Sequence, residues 1–224
     1  MRLRPVVDDR PKVLAPIAGS TFLDHLLRFL KGQGVSDVVL STGYLGEMVE
    51  AHAGTGERYG LSVRYAHEPQ PLGTGGAIRY ARDLLGIEGP VIAMNGDTFF
   101  SGSLEHLLHF HRSRPKAAGT LSLVKVPDAS RYGSVSIDPE TGEVERFVEK
   151  NKRAATSWIN AGRYMLTPEL IDSIPPGRNV SLERDVFPAY VRRGLYGCTF
   201  PDAHFLDIGT PDDYARAADV LSRF

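Results

Sequence analysis

Apolar residues along the first hundred positions recur with two alternating periods. From Thr21 to Lys31, the residues Phe22, Leu23, Leu26, Leu27 and Leu30 fall on one helix face, and Gly32 and Gly34 mark its end. Val35 to Leu40 is an apolar run of strand length and predicts a short buried strand. The alternation continues with a helix over Leu45 to Ala53, a strand over Leu61 to Tyr65, a helix over Gly75 to Leu85 and an apolar strand over Pro90 to Met94. Strands separated by helices of this length need crossover connections. The pattern therefore predicts an α/β fold with a mostly parallel central sheet.

After about Ala117 the texture changes. Gly119 to Val126 alternates as a strand does, and Gly133 to Asp138 reads as another. Pro139-Glu140-Thr141-Gly142 is a turn that feeds a returning strand over Glu143 to Glu149, and Trp158 to Leu166 predicts one more. Helices are expected over Leu170 to Ile174, Glu183 to Arg192 and Pro211 to Leu221, the last with proline suited to a first turn. With no repeat, low-complexity run or linker, the chain reads as a single domain. Residues 1–116 form its nucleotide-handling half, and residues 117–224 add β-structure and substrate contacts.

Composition narrows the function classes. The 224 residues suffice for a sizeable core. Twenty-six Lys and Arg against 27 Asp and Glu leave no field to attract nucleic acid or an anionic membrane. The single cysteine, Cys198, rules out an internal disulfide and a cysteine zinc cage, and its place beside an apolar run marks it as a core residue. Met1-Arg2-Leu3-Arg4-Pro5 meets Asp8-Asp9-Arg10 instead of an apolar stretch, so no signal peptide is read. No segment approaches the ~18 apolar residues of a membrane span, and a cytoplasmic location is expected.

Several short motifs are candidates for chemistry. Asn95-Gly96-Asp97 follows an apolar strand, where ligands of open α/β sheets collect, and Asp97 suits Mg²⁺, which combines one or two carboxylates with substrate phosphates. Leu72-Gly73-Thr74-Gly75-Gly76-Ala77 precedes a helix whose first N–H groups would face an anion or a base edge. Lys12, with Arg2, Arg4 and Arg10 nearby, is either solvated surface charge or a neutraliser of phosphate charge. Asp207 interrupts the apolar run Phe205-Leu206-Asp207-Ile208, and a carboxylate there must be paired, hydrogen-bonded or metal-bound. Asp212 and Asp213 fit the start of the following helix instead. His106, His109 and His111 lack a ligand spacing and read as exposed helix residues, and Glu149-Lys150 reads as a surface ion pair.

Together these fragments resemble the sugar-phosphate nucleotidyltransferase family, in order along nearly the whole chain. Arg2-Leu3-Arg4-Pro5 through Arg10-Pro11-Lys12 is similar to the tail of the family's G-G-x-G-T-R-L…P-K signature. Leu72 to Ala77 resembles its base-binding loop, Asn95-Gly96-Asp97 its metal-binding turn, and Phe205 to Pro211 the segment with its second metal carboxylate. Tyr132-Gly133, Glu149-Lys150 and Asn160-Ala161-Gly162 resemble its sugar-contacting positions. Pro71 to Ile78 and Ser181 to Pro188 look most like D-glycero-α-D-manno-heptose 1-phosphate guanylyltransferases, which make GDP-heptose for surface polysaccharide assembly. Related mannose 1-phosphate guanylyltransferases and uridylyltransferases share most of these blocks.

The resemblance implies a Rossmann-like nucleotidyltransferase fold and transfer of a nucleoside monophosphate, from GTP by this reading, to a sugar 1-phosphate with loss of pyrophosphate. By resemblance, Asp97 and Asp207 hold Mg²⁺, Lys12 contacts the sugar phosphate or α-phosphate, and Arg2 the pyrophosphate. Leu72, Gly73, Thr74 and Gly75 read the base, and Asn95 and Gly96, within the metal-binding turn, contact substrate. Gly133, Glu149, Lys150, Asn160 and Gly162 hold the sugar. The implied partners are a nucleoside triphosphate and a sugar 1-phosphate, with no nucleic acid and no membrane; the oligomeric state stays open, a homodimer included.

One departure stands out. The family opens with a buried strand running into a glycine-rich loop whose N–H groups cradle the triphosphate, whereas Met1 stands where that signature's threonine would be. Without such a strand, apolar neighbours would be exposed and ladder groups left unpaired. Two alternatives follow: a uridylyl- or thymidylyltransferase acting on a hexose or amino-sugar phosphate, and a catalytically silent sugar-nucleotide-binding protein. A glycosyltransferase of similar fold fits less well, because Asn95-Gly96-Asp97 lacks the first acid of a D-x-D metal site.

Overall fold

The computed structural model describes residues 10–126, 129, 132–148 and 158–224. They pack as two compact units built from interleaved segments. Unit 1 takes the chain up to Pro71, Gly96–Phe99 and His204–Phe224; unit 2 takes Leu72–Asn95 and Phe100–Ala203. The division does not follow the change of texture near residue 116.

In chain order the elements are β1 (Pro16–Ile17), β2 (Ser20–Thr21), α1 (Phe22–Gly32), β3 (Asp37–Thr42), α2 (Gly46–Ala53), β4 (Ser62–His67), α3 (Gly73–Leu85) and β5 (Val91–Met94). Then come β6 (Thr98–Phe100), α4 (Leu104–Arg112), β7 (Gly119–Lys125), β8 (Ser134–Ile137), β9 (Val144–Val148) and β10 (Trp158–Leu166). The chain ends with α5 (Pro168–Asp172), α6 (Phe187–Tyr190), β11 (Leu195–Phe200), β12 (Phe205–Asp207) and α7 (Pro211–Leu221).

In unit 1, α1 buries all five apolar residues expected on its inner face. A capping box starts it: the Thr21 hydroxyl accepts from Asp24 N–H, and the Asp24 carboxylate accepts from Thr21 N–H. Strands β3 and β4 pair in parallel across the α2 crossover, as the alternating pattern requires. Leu14, Leu23, Leu27, Val49, Tyr59 and Val63 close the core.

Unit 2 is built on a six-stranded sheet in the order β11-β7-β10-β8-β9, with β5 also paired to β10. Among the described residues only β11–β7 is parallel in it; β5, β7 and β8 all run antiparallel to β10, and β9 to β8. The α/β class stands, and the sheet is mixed rather than mostly parallel. Turns such as Pro139–Gly142 permit antiparallel neighbours where no helix crosses over.

Other expectations shift in instructive ways. Strand β7 is buried from Gly119 to Val124 instead of on alternate residues, because it lies between β10 and β11 inside the sheet. Strand β3 is only partly buried, where a buried strand is expected, and the apolar strand β5 is also partly exposed, with Ile92 37% exposed. Each pairs along one edge only among the described residues, β3 with β4 and β5 with β10. The helix expected over Glu183 to Arg192 is a π-helical turn, Leu182–Val186, followed by the short α6. Pro188 sits in the first turn of α6, where it supplies no N–H to a preceding carbonyl.

Asp24 is a heavily hydrogen-bonded side chain of unit 1. Its buried carboxylate accepts from Thr21 N–H and Oγ1, both at 2.8 Å, Ser20 Oγ at 2.9 Å, His52 Nε2 at 3.0 Å, Arg58 Nη2 at 3.1 Å and the Tyr59 hydroxyl. Burial opposes ionisation, but the hydrogen bonds from Tyr59, Thr21 and Ser20 outweigh it and hold this carboxyl well below the usual range. A depressed folded-state pKa contributes stability above the unfolded value of about 3.9, and that contribution is lost as pH falls below it. Urea unfolding of the wild type should therefore lose stability between about pH 5 and pH 2. Asp24→Asn should be less stable at neutral pH, by about 1–3 kcal/mol, and flatter across that window; an unchanged pH slope in the variant would assign the loss to other groups.

Candidate functional site

Lys12, Asp97 and Asp207 come together in unit 1. Lys12 opens a single 3₁₀ turn, Lys12–Leu14, and its Nζ lies 3.5 Å from Asp97 Oδ2. It is thus an ion-pair partner, not an isolated surface charge. Gly96 carries the chain into Asp97, whose carbonyl accepts from Ile208 N–H at 3.1 Å. That bond ties the segment after β5 to the one after β12. Asp207 ends β12, and its Oδ1 accepts from Gly209 N–H at 2.8 Å.

Burial first, and the neighbouring Asp97 charge second, push the Asp207 carboxyl above its usual range, while the Gly209 N–H and Lys12 oppose the shift. Two carboxylates that repel each other beside one ammonium are a donor set whose mutual repulsion a divalent cation would relieve. The described residues hold no group of three or more His, Cys, Asp or Glu side chains able to bind a metal. Two protein carboxylates with phosphates supplying the remaining oxygens is an arrangement Mg²⁺ accepts, so the residues fit that ion.

The remaining described candidates lie in unit 2. The loop before α3 is held by the segment 178–182. Gly75 and Gly76 N–H groups donate to Val180 O at 2.8 and 3.2 Å, and Val180 N–H donates to Leu72 O at 2.8 Å. The expectation that the whole helix start offers free N–H groups is therefore corrected: two of them serve the protein's own backbone. Gly73 has φ of 70°, and a Cβ there would sit 2.6 Å from Val180 O. Thr74 Oγ1 accepts from Leu182 N–H at 2.8 Å.

Strand β10 gathers Gly133, Asn160, Gly162 and Asn95. Asn160 N–H donates to Gly133 O at 2.9 Å, Gly162 N–H to Asn160 Oδ1 at 2.9 Å, and Asn95 N–H to Gly162 O at 2.8 Å. The pairing of β10 with β7 shifts register between Asn160 and Tyr164, and Gly162 takes φ of 70° there. Arg2, Glu149 and Lys150 lie outside the described residues.

Three further expectations are resolved. His106 and His109 are exposed on α4, but His111 is buried, 2.8 Å from Thr120 Oγ1, and burial lowers its pKa. It faces the sheet because it sits four residues after the buried Leu107, on the same side of α4. Cys198 is a core residue as expected; burial pushes its thiol up to about 12, which keeps it protonated and unreactive. Asp213 joins a cap with Thr210 at the start of α7, its Oδ2 accepting from Thr210 Oγ1 at 2.7 Å.

Sequence reasoning passed over Glu183, whose carboxylate meets Thr74 Oγ1 at 2.8 Å and Tyr164 Oη at 2.9 Å. Its signal was the block Ser181 to Pro188, which was matched to a family without a role for the acid.

Asp97 after β5, Asp207 at the end of β12 and Lys12 in the 3₁₀ turn thus bring two carboxylates and an ammonium together in unit 1 of an α/β protein. The chain belongs to the nucleotidyl transferase family, which it matches over residues 1–223. It is 41% identical to a mannose-1-phosphate guanylyltransferase of Mycobacterium tuberculosis over 99% of this chain and 62% of that protein. It is 37% identical to a D-glycero-alpha-D-manno-heptose 1-phosphate guanylyltransferase of Aneurinibacillus thermoaerophilus over 100% of this chain and 94% of that protein. The crystal structure of HddC from Yersinia pseudotuberculosis complexed with GMP-PN superposes with a TM-score of 0.81 at 33% identity, covering 98% of this chain and 93% of that one. The chain thus spans about three fifths of the length of the mannose-1-phosphate relative. No helix among the described residues is long and apolar enough to cross a membrane.

Gly162 offers a direct test of this geometry. A Cβ there would lie 2.6 Å from Asn95 Nδ2 in a backbone conformation that L side chains rarely adopt. Gly162→Ala should cost about 1–3 kcal/mol in urea unfolding, and a variant as stable as the wild type would show that the bulge can relax.

Proposed function

We propose that the protein is a sugar-1-phosphate guanylyltransferase, moving GMP from GTP to a sugar 1-phosphate and releasing pyrophosphate. The observation that carries this reading is the cluster of Lys12, Asp97 and Asp207, charge suited to phosphates in a chain whose relatives include proteins named as guanylyltransferases. A uridylyl- or thymidylyltransferase reading is less well supported by those names. A catalytically silent binding protein finds no support in them.

In the proposed reaction an oxygen of the sugar 1-phosphate forms a bond to the α-phosphorus of GTP, and the bond from that phosphorus to the bridging oxygen of pyrophosphate breaks. Little covalent work falls to the protein; positioning and charge neutralisation carry the rate. Lys12 holds the sugar phosphate or α-phosphate, and Arg2 the departing pyrophosphate. Asp97 and Asp207 would hold Mg²⁺, which supplies charge neutralisation and orientation of phosphate oxygens when bound. Leu72 to Gly75, with Asn95 and Gly96, contact the nucleotide. Gly133, Glu149, Lys150, Asn160 and Gly162 contact the sugar. No residue is required as a covalent nucleophile.

For the sugar we favour D-glycero-α-D-manno-heptose 1-phosphate, supported by the blocks Pro71 to Ile78 and Ser181 to Pro188 and by the match to the heptose enzyme over 94% of its length. Mannose 1-phosphate is the second reading, favoured by the 41% identity to the mannose enzyme. Both sugars share the manno ring, and the heptose adds one carbon. The product would be GDP-heptose or GDP-mannose, and the setting cytoplasmic nucleotide-sugar synthesis for polysaccharide.

Pyrophosphate release with Mg²⁺, crossing GTP, UTP, dTTP and CTP with heptose, mannose and glucose 1-phosphates, should be fastest with GTP and a manno sugar. Asp97→Ala should lower that turnover at least about a hundredfold with the fold retained. Near-normal turnover in the folded variant would remove Asp97 from the site, and preference for another base would overturn the guanylyl assignment.

A further inference from the structure

A continuous set of hydrogen bonds in unit 2 joins the loop assigned to the base with the strand assigned to the sugar, and it converges on one carboxylate. Glu183 Oε2 accepts from Thr74 Oγ1 at 2.8 Å and from Ser181 Oγ at 2.7 Å, and Oε1 accepts from Tyr164 Oη at 2.9 Å. Tyr164 Oη in turn accepts from Asn160 Nδ2 at 2.8 Å.

The direction of every bond is dictated by the backbone. Gly162 N–H can only donate, so Asn160 Oδ1 accepts and its Nδ2 must donate to Tyr164. The tyrosine hydroxyl then turns its proton to Glu183. Leu182 N–H donates to Thr74 Oγ1 and Arg184 N–H to Ser181 Oγ, at 2.8 and 3.3 Å, so those hydroxyls also turn their protons to Glu183. Three donors converge on a group that, as a carboxylate, only accepts. The carboxylate is presented by the π-helical turn Leu182–Val186, a rare geometry that is frequent at functional sites.

Resting on the guanylyltransferase reading above, we infer that Glu183 is a positioning residue that sets the base loop at Thr74 and the sugar-facing Asn160 against each other. Its contact with Asn160 runs through the Tyr164 hydroxyl, whereas its contact with Thr74 is direct. The two arms can therefore be cut separately. Glu183→Gln puts an amide donor among three hydroxyl donors and disturbs both arms. Tyr164→Phe keeps the buried ring, which packs 5.1 Å from Phe187, and removes the hydroxyl that links Glu183 to Asn160, leaving the direct contact of Glu183 with Thr74.

The test measures pyrophosphate release by the full chain, varying GTP and the preferred sugar 1-phosphate in turn, with melting temperature recorded in parallel. Glu183→Gln is expected to raise KM for both substrates about tenfold. Tyr164→Phe is expected to raise KM for the sugar phosphate by a similar factor and to leave that for GTP within about twofold. If Glu183→Gln lowers only the melting temperature and leaves both KM values in place, the carboxylate is structural and the inference fails. If that variant does not fold, Tyr164→Phe decides alone, and an unchanged sugar KM overturns the inference. Absence of wild-type turnover with every substrate pair would overturn the functional reading itself and the inference with it. Normal wild-type turnover with unshifted variants would overturn the inference only.

Discussion

The hydrogen bonding of β10 is the constraint on which unit 2 depends. This strand keeps β7 along one edge and shares the other between β8, at Ile159, and β5, from Arg163 to Leu166. A strand with three antiparallel neighbours cannot slip, since a one-residue shift would turn every side chain to the opposite face. The irregularity between Asn160 and Tyr164 is therefore held in place, not tolerated. Arg163 secures it from behind: the guanidinium donates to Gly102 O at 2.7 Å and lies 4.4 Å from the Phe100 ring and 5.5 Å from the Phe200 ring. Its Nη2 has no hydrogen-bond partner among the described residues, and burial lowers its pKa to about 10. Two aromatic faces offset part of that desolvation. The irregular stretch of β10 is thus fixed by the protein's own contacts.

Unit 1 shows how two acids in one compact body come to opposite ends. Asp24 accepts six hydrogen bonds and is held ionised, which spends its charge on tying α1 to the residues after α2. Asp207 accepts one, from Gly209, and faces the like charge of Asp97. A carboxylate saturated with donors has no capacity left for a ligand, whereas one raised by burial and repulsion is the kind that a cation would stabilise.

What could be read in the sequence divides along the same physical lines. Helices α1 and α7 were legible almost to the residue, because local signals at Thr21, Thr210 and Pro211 agree with the apolar spacing. Asp97 and Asp207 were legible as an acid after an apolar strand and an acid within an apolar run. The partial burial of β3 and β5 was not, since strand neighbours depend on topology and not on composition. His111 and the broken helix after Glu183 were misread for a related reason: the face His111 presents is set by β7 beneath it, and the π turn by contacts near Thr74 that lie over a hundred residues away. Glu183 was legible only as part of the block Ser181 to Pro188, because two of its three donors, Thr74 and Tyr164, are brought to it by the fold.

The glycines of the loop before α3 carry the last step. A glycine cluster at a helix start invites the explanation that a ligand needs close approach to the backbone. Here added Cβ atoms at Gly73, Gly75 and Gly76 would meet Val180 O at 2.6 Å, Val180 O at 3.2 Å and Arg178 O at 2.3 Å. The small residues are demanded first by the chain that packs against them, with or without a nucleotide. That same segment continues into Ser181 and Glu183, whose hydrogen bonds place Thr74. The shape of the loop assigned to base recognition is therefore not a local property of residues 72–76. It is imposed by residues 178–183, which fix its backbone through the carbonyls of Arg178 and Val180 and the hydrogen bonds at Thr74.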